Sequence, residues 1–211
     1  MPATNLKSTP TPHGVEATLS EVFAPRAADG AVTGFVLSHL KKGSTVLWIQ
    51  DRLSRKETGR PCLAGLPQSL DILHLDVSRP VDVLWAMEEG LRCRSLGAVL
   101  GEVWGDPPAL DFTATKRLAL RSEANRIPTW LIRRAAAPNL SAARNRWRVN
   151  SLASLGHPHD TRAPGHPQWQ ADLFRSRWSK PANWIVHPTP TGLTYHHGTA
   201  HHDTPRHSLA G

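Results

Sequence analysis

The eight residues STVLWIQD (44–51) decide how the rest of the chain is to be read. They form a nearly continuous apolar run, bounded by Gly43 before and by the charged stretch DRLSRKETGRP after. A strand with one wet face alternates apolar and polar residues. A strand apolar throughout is covered on both faces, as strands of helix-flanked parallel sheets are.

Working outward, the same kind of segment recurs. TLSEVFA (18–24) is a short strand, and GAVTGFVLSHLKK (30–42) follows with helical spacing and a lysine pair suited to a helix C-terminus. Residues 52–67 are charged and marked by glycine and proline, which predicts a long loop. LDILHLD (70–76) is a strand. Pro80 then fits the first turn of a helix, PVDVLWAMEEGLRCR, with Leu84, Met87 and Leu91 along one face and a Glu88–Arg92 pair outside. LGAVLGEVW (96–104) is another buried strand. Asp111 is placed to cap the helix FTATKRLALRSEANR, and Pro128 opens the strand PTWLIRR. Strands alternating with helices in this way imply crossover connections and an α/β fold with a mostly parallel sheet.

Past residue 134 the pattern changes. AAAPNLSAARNRWRVNSL predicts a short helical piece and then a strand around Arg146–Val149. QWQADLFRSRW and NWIVHP read as two strands joined around SKPA, a closing antiparallel hairpin. Residues 1–17 are rich in Pro and Thr and read as a flexible tail. Residues 188–211 carry no burial pattern and read as a disordered, His-rich tail, leaving a domain over 18–187.

The formal charge of +8 over 211 residues points to an acidic partner, most commonly nucleic acid. No apolar run is long enough for a membrane span, and no secretory signal opens the chain. Two distant cysteines, Cys62 and Cys93, suit a reducing compartment. The expected location is cytoplasmic.

In a parallel sheet, ligands bind beyond the carboxyl ends of the strands. The loop after the first strand, APRAADGA, has the position of a phosphate-gripping loop but not its chemistry. Ala24 and Asp29 stand where the two glycines would be, Gly30 where the lysine would be, and Ala31 where the magnesium-binding hydroxyl would be. Asp29 would set a negative charge beside a phosphate. Glu102, with Asp106 behind it, occupies the place of a carboxylate that orients magnesium or water, and its alternative role is to pair with a nearby arginine. No catalytic residue, cofactor or metal is assigned from these segments.

Six of the twelve histidines lie at or after His187, in a Pro/Thr/Gly context that cannot build a rigid metal site. The stretches RNRWRV and FRSRWSK interleave arginine with tryptophan. Arg144, Arg146, Arg148, Arg175, Arg177 and Lys180 are therefore candidate nucleic-acid contacts. The alternative is an edge hairpin in which the tryptophans pack inward, and strand alternation favours burial for Trp147. Trp48, Trp85, Trp104 and Trp130 are expected in the core.

Five segments together, VLWIQDR, DVLWAMEEGLR, GAVLGEVWGDPPALDFTATKRLAL, SAARNRWRV and APGHPQWQADLFRSRW, resemble the ImuA family of damage-induced mutagenesis proteins. The resemblance covers roughly residues 18–187 and is most specific at Trp85–Arg92 and Glu102–Leu118. It implies a RecA-like fold and a non-enzymatic or weakly enzymatic accessory in SOS-induced translesion DNA synthesis. It also implies a nucleoid-associated place of work. The implied partners are an ImuB-like Y-family polymerase protein and an error-prone DNA polymerase III alpha-type subunit, with RecA and single-stranded DNA as further candidates. Two other readings stay open. One is a divergent ATPase using Glu102 with Arg26 or Lys41 as cation; the other is a plain single-strand-binding module.

Overall fold

The apolar run becomes β2 (Thr45–Asp51), an interior strand held between two parallel neighbours. The computed structural model describes residues 17–60, 62, 70–160, 162–189 and 192–197. Within these, β1 (Leu19–Ala24), β2, β3 (Asp71–Val77), β4 (Ala98–Trp104), β5 (Thr129–Arg134) and β6 (Asn145–Ser151) run parallel. β7 (Trp169–Ser176), β8 (Ala182–Thr189) and β9 (Gly192–His197) extend the same sheet as an antiparallel meander. The strand order is β3-β2-β4-β5-β1-β6-β7-β8-β9. Four helices connect the parallel part: α1 (Ala31–Ser38), α2 (Arg52–Thr58), α3 (Pro80–Gly90) and α4 (Phe112–Asn125).

Two apolar layers hold the sheet. On one face, Val32, Phe35 and Val36 of α1 pack among Val22, Trp48, Trp130, Trp147 and Trp184, all nearly or fully buried. Phe35 meets the Trp147 ring at 5.1 Å and Trp130 edge-on at 6.2 Å. On the other face, Val83 and Met87 of α3 and Leu118 of α4 cover Leu19, Ile49, Val99 and Leu131. Each such side chain contributes about 1.5–3 kcal/mol relative to exposure. β2 thus meets apolar residues on both sides, which is why its sequence does not alternate.

Several expectations are corrected. Residues 52–58 form helix α2 and not loop, because Asp51 accepts a hydrogen bond from the Ser54 N–H at 2.6 Å and caps the first turn. No helical piece precedes β6. The expectation of no regular structure past His187 is corrected for residues 188–189, which complete β8, and for Gly192–His197, which pair with β8 as β9. Trp85 is 66% exposed and Trp104 only half-buried, against the core placement expected of both. Glu88 pairs with Arg117 and Arg121 across to α4, not with Arg92, whose partner is Glu89. The tails expected over residues 1–16 and 198–211 lie outside the described residues. No helix among those described is long and apolar enough to cross a membrane.

Candidate functional site

β1, β2, β4 and β5 end together at one edge of the sheet, and the loop from β1 to α1 closes over them. A depression of about 190 Å³ lies there, lined in part by Gly30, Thr33, Gln50, Thr58, Glu102 and Arg134. Arg134, the last residue of β5, lies in register between Ala24 of β1 and Trp104 of β4. From that position its guanidinium reaches both the loop and Glu102.

The contacts of Arg134 reverse the polarity that a phosphate site requires. One terminal nitrogen, Nη1, donates to the carbonyl oxygens of Ala27 and Asp29, each at 2.9 Å. The other, Nη2, donates to Thr33 Oγ1 at 3.0 Å, and Nε donates to Glu102 Oε1. A phosphate-gripping loop turns backbone N–H groups inward. This one presents carbonyls to a buried cation.

The start of α1 holds an anion of its own. Asp29 Oδ1 accepts from the Ala31 N–H at 2.9 Å, and the Asp29 carboxylate also accepts from the Ser151 N–H at 2.9 Å and the Ser151 hydroxyl at 2.5 Å. Burial pushes this carboxyl up, but the bonds from Ser151 and Ala31, with Arg26 nearby, outweigh it and hold it below the usual carboxylate range. A helix N-terminus attracts an anion through its free N–H groups and dipole. Here the chain supplies that anion itself.

Glu102 is 1% exposed and accepts from four side chains. Besides Arg134 these are Trp48 Nε1 at 3.2 Å, Gln50 Nε2 at 2.9 Å and Thr58 Oγ1 at 3.3 Å. Gln50 accepts in turn from His74 Nε2 at 2.7 Å. A carboxylate so fully engaged cannot orient a water or a metal without giving up a buried partner, and breaking a buried pair costs about 3–5 kcal/mol. Of the two roles expected for Glu102, pairing with an arginine is the one this geometry supports.

A second buried ionic cluster lies on the opposite face of the sheet. Glu21 of β1 accepts from Arg146 Nε at 2.7 Å and from the Ser141 hydroxyl at 2.9 Å, with Arg133 Nη1 at 3.8 Å. Arg133 donates through Nη2 to Asp106 at 2.5 Å and to the Gly105 carbonyl at 3.2 Å. Burial pulls the Arg133 guanidinium below arginine's ordinary value; Glu21 and Asp106 oppose that shift and Arg146 adds to it. The Arg146 guanidinium lies 5.3 Å from the centres of both the Phe23 and Phe174 rings.

The six candidate nucleic-acid residues therefore do not form one face. Arg146 is 4% exposed and belongs to the Glu21 cluster. Arg148 lies 4.1 Å over Phe174 and pairs with Asp172, and Arg144 forks onto Glu123 at 2.6 and 3.1 Å. Arg175, Arg177 and Lys180 are exposed. Trp147 is buried, as strand alternation suggested.

Sequence reasoning missed Arg134 and Glu21. A glutamate in the middle of the otherwise uncharged TLSEVFA is the signal that could have found the Glu21 cluster, since a buried charge requires a partner. Nothing local marks Arg134, whose role depends on which strands lie beside β5.

No protein-family model matches the chain. It is similar to the protein ImuA of Caulobacter vibrioides, in strain NA1000 / CB15N and again in strain ATCC 19089 / CIP 103742 / CB 15. In each case the identity is 28% over 164 residues, covering 72% of this chain. The chain spans 64% of the length of these relatives.

Proposed function

We propose that this chain is an accessory protein of damage-induced mutagenesis that works by holding other proteins together and not by turning over a nucleotide. The observation that carries the second half is Arg134. Its guanidinium fills the loop in which a phosphate would sit, while Asp29 holds the start of α1. The first half rests on the similarity to ImuA and on the resemblance stretches beginning at Trp85 and Glu102. The strand order, with Glu102 near the carboxyl end of β4, suits a RecA-like scaffold whose nucleotide slot is closed by its own side chains.

A holding role needs an exposed surface with anchors. β3 is one edge of the sheet among the described residues, and Leu73 and Leu75 project from it at 54% and 39% exposure. On the helix that follows, Val81 and Trp85 are 43% and 66% exposed. Exposed apolar side chains on an edge strand invite another chain, and tryptophan is a typical interface anchor. The partners this reading calls for are an ImuB-like Y-family polymerase protein and an error-prone DNA polymerase III alpha-type subunit, with RecA as a further candidate.

The test is affinity capture of the tagged full chain from DNA-damaged cells, beside a Leu73→Glu/Trp85→Glu variant. The expected result is recovery of both polymerase components above an undamaged control, with loss in the variant. Recovery of neither, even after crosslinking, would contradict the role.

A further inference from the structure

A groove of about 300 Å³ runs between α4, the segment 141–144 that leads into β6 and the end of β7, on the face away from α1. Lys116 of α4 lines it together with Arg144, Arg175 and Arg177. No acidic side chain lines it among the described residues. Glu123 lies just outside, and the hydrogen bond from Arg144 is the main reason its carboxyl stays below the usual range. That carboxylate engages Arg144. Arg175 reaches only a neutral carbonyl, that of Ser141 at 3.3 Å. Lys116 and Arg177 are exposed, and among the described residues neither they nor Arg175 form a contact ion pair with a carboxylate, although the charge of Arg177 also helps to hold the Glu123 carboxyl down.

The groove also has apolar surface. Phe112, at the start of α4, lines it at 42% exposure. Trp178, also 42% exposed, follows Arg177, whose guanidinium lies 5.9 Å over its ring. Cations spaced along a groove with an open aromatic at hand suit a flexible polyanion whose bases can stack. Single strands are held in this way, with aromatic faces tolerant of any base.

We infer that the α4–β7 groove binds the backbone of single-stranded nucleic acid through Lys116, Arg175 and Arg177, with Phe112 and Trp178 as stacking faces. The inference stands apart from the polymerase-bridging role. It replaces the six-residue set read from the sequence, because Arg144, Arg146 and Arg148 are engaged in ion pairs.

The experiment is fluorescence anisotropy of a labelled oligothymidylate with the full chain, titrated at several salt concentrations. Three proteins are compared: the unaltered chain, Lys116→Ala/Arg175→Ala/Arg177→Ala, and a charge-matched control, Arg52→Ala/Lys56→Ala/Arg94→Ala. All of these positions are exposed, and thermal unfolding confirms that each variant is folded. The groove variant is expected to bind at least roughly tenfold more weakly, with a salt slope shallower by about 2, since each single-strand phosphate contact contributes roughly 0.7. The control is expected to change less than threefold, and Phe112→Ala/Trp178→Ala to weaken binding by roughly tenfold. Equal loss in both triple variants would reduce the binding to net charge and overturn the proposal. Absence of binding by the unaltered chain would do the same. So would displacement of the probe by polyglutamate at the same phosphate-equivalent concentration as by unlabelled strand, which would mark the groove as a site for an acidic protein.

Discussion

Arg134 explains how a loop can keep a position while changing its chemistry. Where a phosphate site needs an external anion, a lysine and a magnesium ion, this chain sets a guanidinium from β5 against two carbonyls and a carboxylate. The pair is buried on both sides, with Arg134 at 4% and Glu102 at 1% side-chain exposure. Truncating one partner strands the other charge. Arg134→Ala is therefore expected to lower unfolding free energy by about 3–5 kcal/mol. Arg134→Met combined with Glu102→Leu is expected to lose much less than the sum of the two single changes, because neither charge is left unpaired. Urea denaturation of the unaltered chain, Arg134→Ala, Arg134→Met, Glu102→Leu and the double variant reads both. A loss below about 1 kcal/mol for Arg134→Ala would show that the guanidinium is not what holds the loop.

Among the elements, the parallel core was legible because each strand and helix carries its own period. β2 and β4 carry long apolar runs, and α3 announces its start with Pro80 and its buried face with Leu84 and Met87. α2 was not legible, since its seven residues bury only Ser54 and so leave no apolar stripe; the Asp51 cap was its sole mark. β9 was missed for a related reason. Residues 192–196 are at most half-buried, and the strand's place is secured by pairing with β8, by Tyr195 edge-on to Trp184 and by a hydrogen bond to the end of α1. That contact joins Tyr195 Oη to His39 Nε2 at 2.8 Å, while His39 Nδ1 lies 2.7 Å from the Phe35 carbonyl at the end of α1. A Nδ1–H donor to that carbonyl leaves Nε2 to accept from the tyrosine, so the ring is neutral. Burial lowers the His39 pKa to about 4 and raises that of Tyr195. Below its ordinary value of 6.5 the unfolded chain takes up a proton on His39 that the folded chain refuses until about pH 4. This contribution to stability is complete above pH 6.5 and falls as the pH drops toward 4, by as much as about 3 kcal/mol. Replacing His39 with Gln is expected to flatten that slope in urea midpoints measured between pH 4 and 7. An unchanged slope would assign the acid sensitivity to other groups.

At the scale of the whole molecule, the sequence disclosed which loop to examine but not what fills it. Glu102 was visible as a carboxylate at a strand end, and the missing lysine and hydroxyl at Gly30 and Ala31 were visible as absences. Arg134, whose guanidinium donates into that loop, lies 105 positions beyond Asp29 and joins it only through the order of strands in the sheet. The basic surface behaved similarly. Its net charge was plain, yet pairing across strands engages Arg146 and Arg148, pairing with Glu123 of α4 engages Arg144, and the fold sets Lys116 of α4 beside Arg175 and Arg177. The most direct test of a slot closed from within is thermal and urea unfolding of the full chain, with and without millimolar Mg-ATP and Mg-ADP. No change in midpoint is expected with either nucleotide. A saturable rise in stability, reaching about 2.7 kcal/mol at 100 times the dissociation constant, would show that a nucleotide displaces Arg134 and would return the chain to the ATPases.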